Sequence, residues 1–169
     1  GAMKIAPDDP QIKQLYSEVK PKYDAKEKSR ISSLTGTERL KEEGDALFKK
    51  SQFETAIHKY TEALNAASSQ SSEIALKIYG NRAACYKQLS DFDNTINDCT
   101  SVLEYREEDV KALMRRAQAY EAMERYRSAL QDVRQVLALG LEKAGKASYD
   151  LANGMQHRLN RVITQLKAM

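Results

Sequence analysis

Apolar positions recur along this chain at spacings of three, four and seven, the signature of helices buried on one face. Three stretches carry the same pattern: "KKSQFETAIHKYTEAL", "KQLSDFDNTINDCTSVL" and "EAMERYRSALQDVRQVL". In each an aromatic follows a turn (Phe53, Phe92, Tyr126), and four residues on comes an apolar side chain (Ile57, Ile96, Leu130). Seven further on stands a leucine (Leu64, Leu103, Leu137). The second and third aromatics lie 34 residues apart and the first two 39 apart, the excess falling in the serine-rich "NAASSQSSE". The segments before the turns align too. Leu40, Tyr79 and Leu113 precede the small residues Gly44, Ala83 and Ala117 by four positions, and Leu47, Tyr86 and Tyr120 follow those by three. Small residues let two helix backbones approach closely, while large neighbours fill the groove between them.

The pattern predicts paired helices over 37–50 and 53–67, 73–88 and 92–104, and 109–123 and 126–139. Thr35 and Glu38 have the spacing of a capping box for the first. Beyond Gly140 a long helix over 144–167 carries the stripe Leu151, Met155, Leu159, Val162, Leu166. Its expected task is to cover the open end of the stack, since a terminal repeat cannot bury its own face. Residues 4–34 form a polar, partly helical leader. Asp9-Pro10 is a helix start there, Ile12, Leu15, Tyr16 and Val19 form an apolar stripe, and Pro21 is a break. Gly1-Ala2-Met3 reads as the scar of a cleaved tag, and the chain is expected to be a piece of a longer protein. The division is thus 1–3 scar, 4–34 leader, 35–140 repeats (37–70, 73–108, 110–140) and 141–169 capping helix.

A 34-residue helix-turn-helix unit with these positions is similar to the tetratricopeptide repeat. Gly44, Ala56, Tyr60 and Ala63 match its signature in the first unit, while Thr95 and Cys99 depart from it in the second. The resemblance implies an all-α fold of three tandem repeats forming a right-handed superhelix, with the leader before it and the capping helix after it. Three units are about the minimum that stack into a stable core.

Composition narrows the function. The 7 glycines and 3 prolines are few for a loop-rich fold, and charged residues of both signs make up 30%. The formal charge of +3 favours an acidic partner yet falls short of the basic stripe that marks nucleic-acid binding. No run approaches a membrane span of about 18 apolar residues. His58 and His157 stand alone, Cys85 and Cys99 form no metal-ligand spacing, and no glycine-rich phosphate loop occurs. Both cysteines are expected to pack rather than react, in a reducing cytoplasmic compartment. The chain is read as a binding module, not an enzyme, with no cofactor and no metal.

The first helix of each pair should line the concave side. Lys41, Asp45, Asn81, Lys111 and Arg115 converge there, among the groove-lining Phe48, Lys49, Lys77, Ala84, Lys87, Gln88, Met114 and Gln118. Here the chain resembles the co-chaperones that clamp the acidic C-terminus of the 70- and 90-kDa heat-shock proteins. "LKEEGD" supplies Lys41, "GNRAACY" supplies Asn81, and "VKALMRRAQAY" supplies Lys111 and Arg115. The resemblance implies that Lys41 and Asn81 hold the terminal carboxylates of an EEVD-type peptide. Lys111 and Arg115 would take its last aspartate or a nearby carbonyl. Asp45 departs from the pattern: the family has asparagine there, and a carboxylate repels the ligand unless Lys41 or Lys49 neutralises it. Taken singly, each residue also has a structural reading. Lysines on a polar face are usually solvated, Asn81 can bond the neighbouring helix, and Lys111 and Arg115 can pair with Asp109 or Glu121. The expected function is a monomeric, co-chaperone-like adaptor. The alternative is a repeat scaffold of an assembly factor that recognises another peptide or a folded partner. An RNA-binding reading is disfavoured by the modest charge and the interleaved acids.

Overall fold

Side-chain caps and left-handed turn residues divide residues 35–169, which the computed structural model describes, into seven α-helices. They are α1 (Gly36–Lys49), α2 (Phe53–Ala66), α3 (Glu73–Gln88), α4 (Phe92–Tyr105), α5 (Val110–Ala122), α6 (Tyr126–Ala144) and α7 (Lys146–Lys167). The expectations for the leader fall outside the described residues. The capping box forms as expected: Glu38 N–H donates to Thr35 Oγ1 at 3.3 Å and Thr35 N–H to Glu38 Oε2 at 3.4 Å. Ser72, Asp91 and Asp109 cap α3, α4 and α5 in the same way, each accepting one otherwise orphaned N–H.

The three tight turns are built alike. Ser51, Ser90 and Glu124 each adopt a left-handed φ of 57–62°, two residues before Phe53, Phe92 and Tyr126. The next N–H returns to a carbonyl five residues back (Gln52 to Leu47, Asp91 to Tyr86, Arg125 to Tyr120), which closes a Schellman-type end on each first helix. The turn therefore repeats because its hydrogen bonds repeat, although no glycine relieves it.

Consecutive helices pack on each other throughout, and α1 also meets α3, α3 meets α5, and α5 meets α7. Gly44 of α1 packs directly against the Tyr60 ring of α2. A Cβ built there would stand 2.7 Å from Tyr60 Cε1 and 2.8 Å from Cδ1. Alanine is normally better than glycine in a helix by about 1 kcal/mol. The rigid, buried Tyr60 ring reverses that preference, so Gly44→Ala is expected to cost about 1–3 kcal/mol through overpacking. A lower urea midpoint would show this, whereas an unchanged or higher midpoint would mean the ring yields freely.

Two apolar clusters form the core. One holds Ala56, Tyr60, Ala63, Leu64 and Ile78; the larger runs from Ala83 and Cys99 through Leu113, Val133 and Val136 to Met155 and Leu159. Tyr79 packs against both. The expected long last helix is present, but its buried stripe is Ala152, Met155 and Leu159, with Ile163 packed alongside. Leu151 and Leu166, expected on that stripe, are 45% and 51% exposed. The correction has a simple cause: the spacing 152, 155, 159, 163 follows the helical period more closely, and Ala152 admits the closer contact. Gly140, which kinks α6, and Gly145, which turns the chain from α6 into α7, both sit at φ +85° in a region that only glycine occupies readily. The expected end of the sixth helix at 139 corresponds to the Gly140 break, after which a further turn reaches Ala144.

A polar joint recurs inside the stack. Arg82 clamps Asp98 with two bonds of 2.8 and 2.7 Å and reaches Thr61 Oγ1 of the preceding pair at 3.1 Å. Thirty-four residues on, Arg116 clamps Asp132 at 2.8 and 2.6 Å and reaches Thr100 Oγ1 at 3.2 Å. Asp98 and Asp132 are buried. Burial raises the Asp98 carboxyl above its ordinary value, with the Arg82 guanidinium opposing that rise. In the first pair the equivalent positions hold Glu43 and Lys59 with the signs reversed, 3.3 Å apart and partly exposed.

Candidate peptide-binding groove

The cleft between α1, α3 and α5 is where the expected cations meet. Lys41, Lys77, Asn81, Lys111 and Arg115 line it together, with Leu76, Val102, Cys99 and Ala112 as an apolar floor. Helix geometry explains the gathering. Lys77 and Asn81, and likewise Lys111 and Arg115, are four apart on successive first helices, so each pair shows one face. Its charged lining holds five basic residues, Arg106 among them, against one carboxylate. That carboxylate, Asp109, is engaged as the cap of α5.

The partners of these cations differ. Lys41 Nζ donates to Asp45 Oδ2 at 2.7 Å, and Arg106 pairs with Glu73. Arg115 Nη1 donates to the Gly80 carbonyl at 3.0 Å. No carboxylate among the described residues pairs with Lys77, Lys111 or Arg115. Asp109 and Glu121, the partners a purely structural reading offers, are occupied by the α5 cap and by Arg158, which clamps Glu121 at 2.8 and 2.9 Å.

Asp45 lies beside this cleft, in a second depression with Phe48, Lys49, Asn81, Ala84 and Arg115. Its Oδ1 accepts from the Tyr60 hydroxyl at 2.5 Å and from Asn81 Nδ2 at 3.1 Å. Burial and the adjacent carboxylate hold the Tyr60 phenol protonated far above its usual range. Asn81 thus does bond a neighbouring helix, as its structural reading expects, and Lys41 rather than Lys49 neutralises Asp45.

The remaining groove expectations divide. Phe48 is half-buried, edge-on to Phe53 with ring centres 5.5 Å apart. Lys87 Nζ donates to Gln118 Oε1, and burial, with Arg115 nearby, lowers the lysine's pKa. Lys49 is exposed at the rim; Gln88 is exposed and lines neither depression. Met114 is a correction: it is 6% exposed, belongs to the larger apolar cluster and lines neither depression, because an unbranched apolar side chain gains from burial where its charged neighbours do not. Sequence reasoning missed Arg106 and the floor residues Leu76 and Val102, which the cleft draws from the start of α3 and the end of α4. Cys85 and Cys99 are free and buried. Burial pushes their thiols up to about 11 and about 12, which withholds the thiolate that nucleophilic chemistry needs.

No protein-family model matches the chain. Among curated proteins it is similar to sperm-associated antigen 1A of Danio rerio, 38% identical over 130 residues, or 75% of this chain and 29% of that protein. The chain spans less than a third of the length of the curated relatives it matches. Among solved structures, the Arabidopsis OM64 TPR domain superposes with a TM-score of 0.63 at 32% identity, covering 75% of this chain and 95% of that one. The myosin chaperone UNC-45 from C. elegans, in complex with a Hsp90 peptide, gives 0.68 at 30% identity over 80% of this chain and 15% of that one. With its helix pairs in register and nearly the whole of a solved repeat domain matched, the chain belongs to the tetratricopeptide-repeat family.

Proposed function

We propose that this domain is a non-catalytic cytoplasmic adaptor whose groove binds the acidic C-terminal peptide of heat-shock protein 70 or 90. The observation that carries the reading is the cleft between α1, α3 and α5, where Lys77, Lys111 and Arg115 stand together without carboxylate partners among the described residues. Cations with no carboxylate partner among the described residues, beside an apolar floor, suit an extended anionic chain: ammonium and guanidinium groups take carboxylates, and Leu76 and Val102 take an aliphatic side chain. Lys111 and Arg115 are the proposed contacts for ligand carboxylates, and Lys41 and Asn81, which also donate to Asp45, line the α1 end of the groove. The Hsp90 peptide bound to the similar UNC-45 supports the ligand class. Buried, protonated thiols support a binding role over catalysis.

An extended peptide loses ordering entropy on binding, so micromolar affinity is expected, about −8 kcal/mol. Most of the attraction is ionic and partly exposed, and should weaken as the screening length shrinks. Calorimetric titration with a peptide ending Glu-Glu-Val-Asp at 0.05 and 0.5 M salt is expected to show roughly a tenfold loss of affinity. Binding that ignores salt would argue for a mainly apolar contact and against this reading.

A further inference from the structure

We infer that Asp45 sets the specificity of the groove by filling its Lys41–Asn81 half as an internal carboxylate. The site then takes acidic side chains at Lys111 and Arg115 without requiring a free chain terminus. This rests on the proposed peptide-binding role of the same groove.

Both oxygens of Asp45 are engaged. Oδ2 receives the Lys41 ammonium at 2.7 Å, and Oδ1 receives the Tyr60 hydroxyl at 2.5 Å and the Asn81 amide at 3.1 Å. The three donors come from α1, α2 and α3, so the carboxylate is fixed where the first two helix pairs meet. Tyr60 is buried and anchors the arrangement from below. The Lys41 and Asp45 side chains are only 18% and 25% exposed, so their attraction is screened less than that of a surface pair.

A polarised groove follows from this. At the α1 end, the charges of Lys41 and Asp45 cancel. A terminal carboxylate arriving there finds Lys41 and Asn81 already donating to Asp45, has only their remaining hydrogens to accept, and lies against a like charge. An internal residue presents a backbone N–H instead, which a carboxylate accepts readily. At the α5 end, Lys111 and Arg115 keep their positive charge without a carboxylate partner among the described residues. Like charges brought together across a binding site discriminate against a ligand, even where the remaining contacts fit.

The test compares two peptides ending Glu-Glu-Val-Asp, one a free acid and one amidated, on the wild-type protein, Asp45→Asn and Asp45→Ser. Both substitutions remove the charge and leave Tyr60 an oxygen to donate to. The wild type is expected to bind the two peptides within about threefold of each other, and each variant to gain about tenfold for the free acid alone. A wild-type protein that already loses more than about tenfold on amidation overturns the inference while leaving the peptide-binding role intact. Variants whose preference stays as small as the wild type's also overturn it. Failure of all three helical proteins to bind either peptide removes both proposals. The wild-type comparison decides alone if a variant does not fold.

Discussion

Arg82→Ala is expected to destabilise the domain by about 3–5 kcal/mol, the cost of leaving a buried charge without its partner. The guanidinium makes three bonds at once, two to Asp98 in its own helix pair and one to Thr61 in the pair before. Its loss strands a carboxylate that is 4% exposed and unfastens two repeats from each other. For a chain of 169 residues the melting temperature should fall on the order of 10 °C. The double variant Arg82→Met with Asp98→Leu should recover most of the loss, because removing both charges removes the desolvation cost as well. The pH dependence has a definite sign. Asp98 already titrates above its ordinary value through burial, and without Arg82 nothing opposes that rise. A carboxyl raised in the folded state favours folding fully only below its unfolded pKa, about 4, and loses that contribution as pH rises through the folded value. The deficit of Arg82→Ala should therefore be smaller at pH 4 than at pH 7. A loss under about 1 kcal/mol at pH 7 would mean that water reaches the joint and carries the charge.

The largest functional effect is expected from Lys111→Ala with Arg115→Ala. Each cation offers a charge-assisted bond of about 1.5–3 kcal/mol to a ligand carboxylate, so losing both should weaken peptide binding by at least about 100-fold. From a micromolar start that places binding beyond calorimetric detection. Lys111 is exposed and bonds to no side chain among the described residues, so its removal should leave the fold alone. Arg115 also holds the Gly80 carbonyl at 3.0 Å, and the thermal unfolding of the double variant is the control for that contact. Retention of micromolar binding by the double variant would move the ligand to another surface.

Helix existence, pairing and turns were legible because they depend on local periodicity. The aromatic after each turn and the small residue on each first helix repeat at fixed distances, and every helix boundary but the Gly140 region falls within about two residues of expectation. What the chain concealed depends on neighbours from other helices. Met114 has the spacing of a groove residue, yet it is buried in the apolar cluster that residues of several helices complete. Leu151 and Leu166 are as apolar as Leu159, yet the face that α7 buries is the one carrying Ala152, Met155 and Leu159, which leaves them exposed. The Asp45 departure was visible in the sequence, but its bonds to Tyr60 and Asn81 join positions 15 and 36 residues away. The Arg82–Asp98 and Arg116–Asp132 joints did carry a signal, an arginine and an aspartate each echoed after 34 residues. Polar residues repeating in register inside an apolar repeat mark a buried pair.

Titrating the free-acid Glu-Glu-Val-Asp peptide into the wild-type domain decides whether the cleft between α1, α3 and α5 holds an acidic chaperone tail. One peptide per domain at micromolar affinity is the expected result. No heat of binding from a protein whose helicity is intact by circular dichroism would contradict it and leave a repeat scaffold with a different partner.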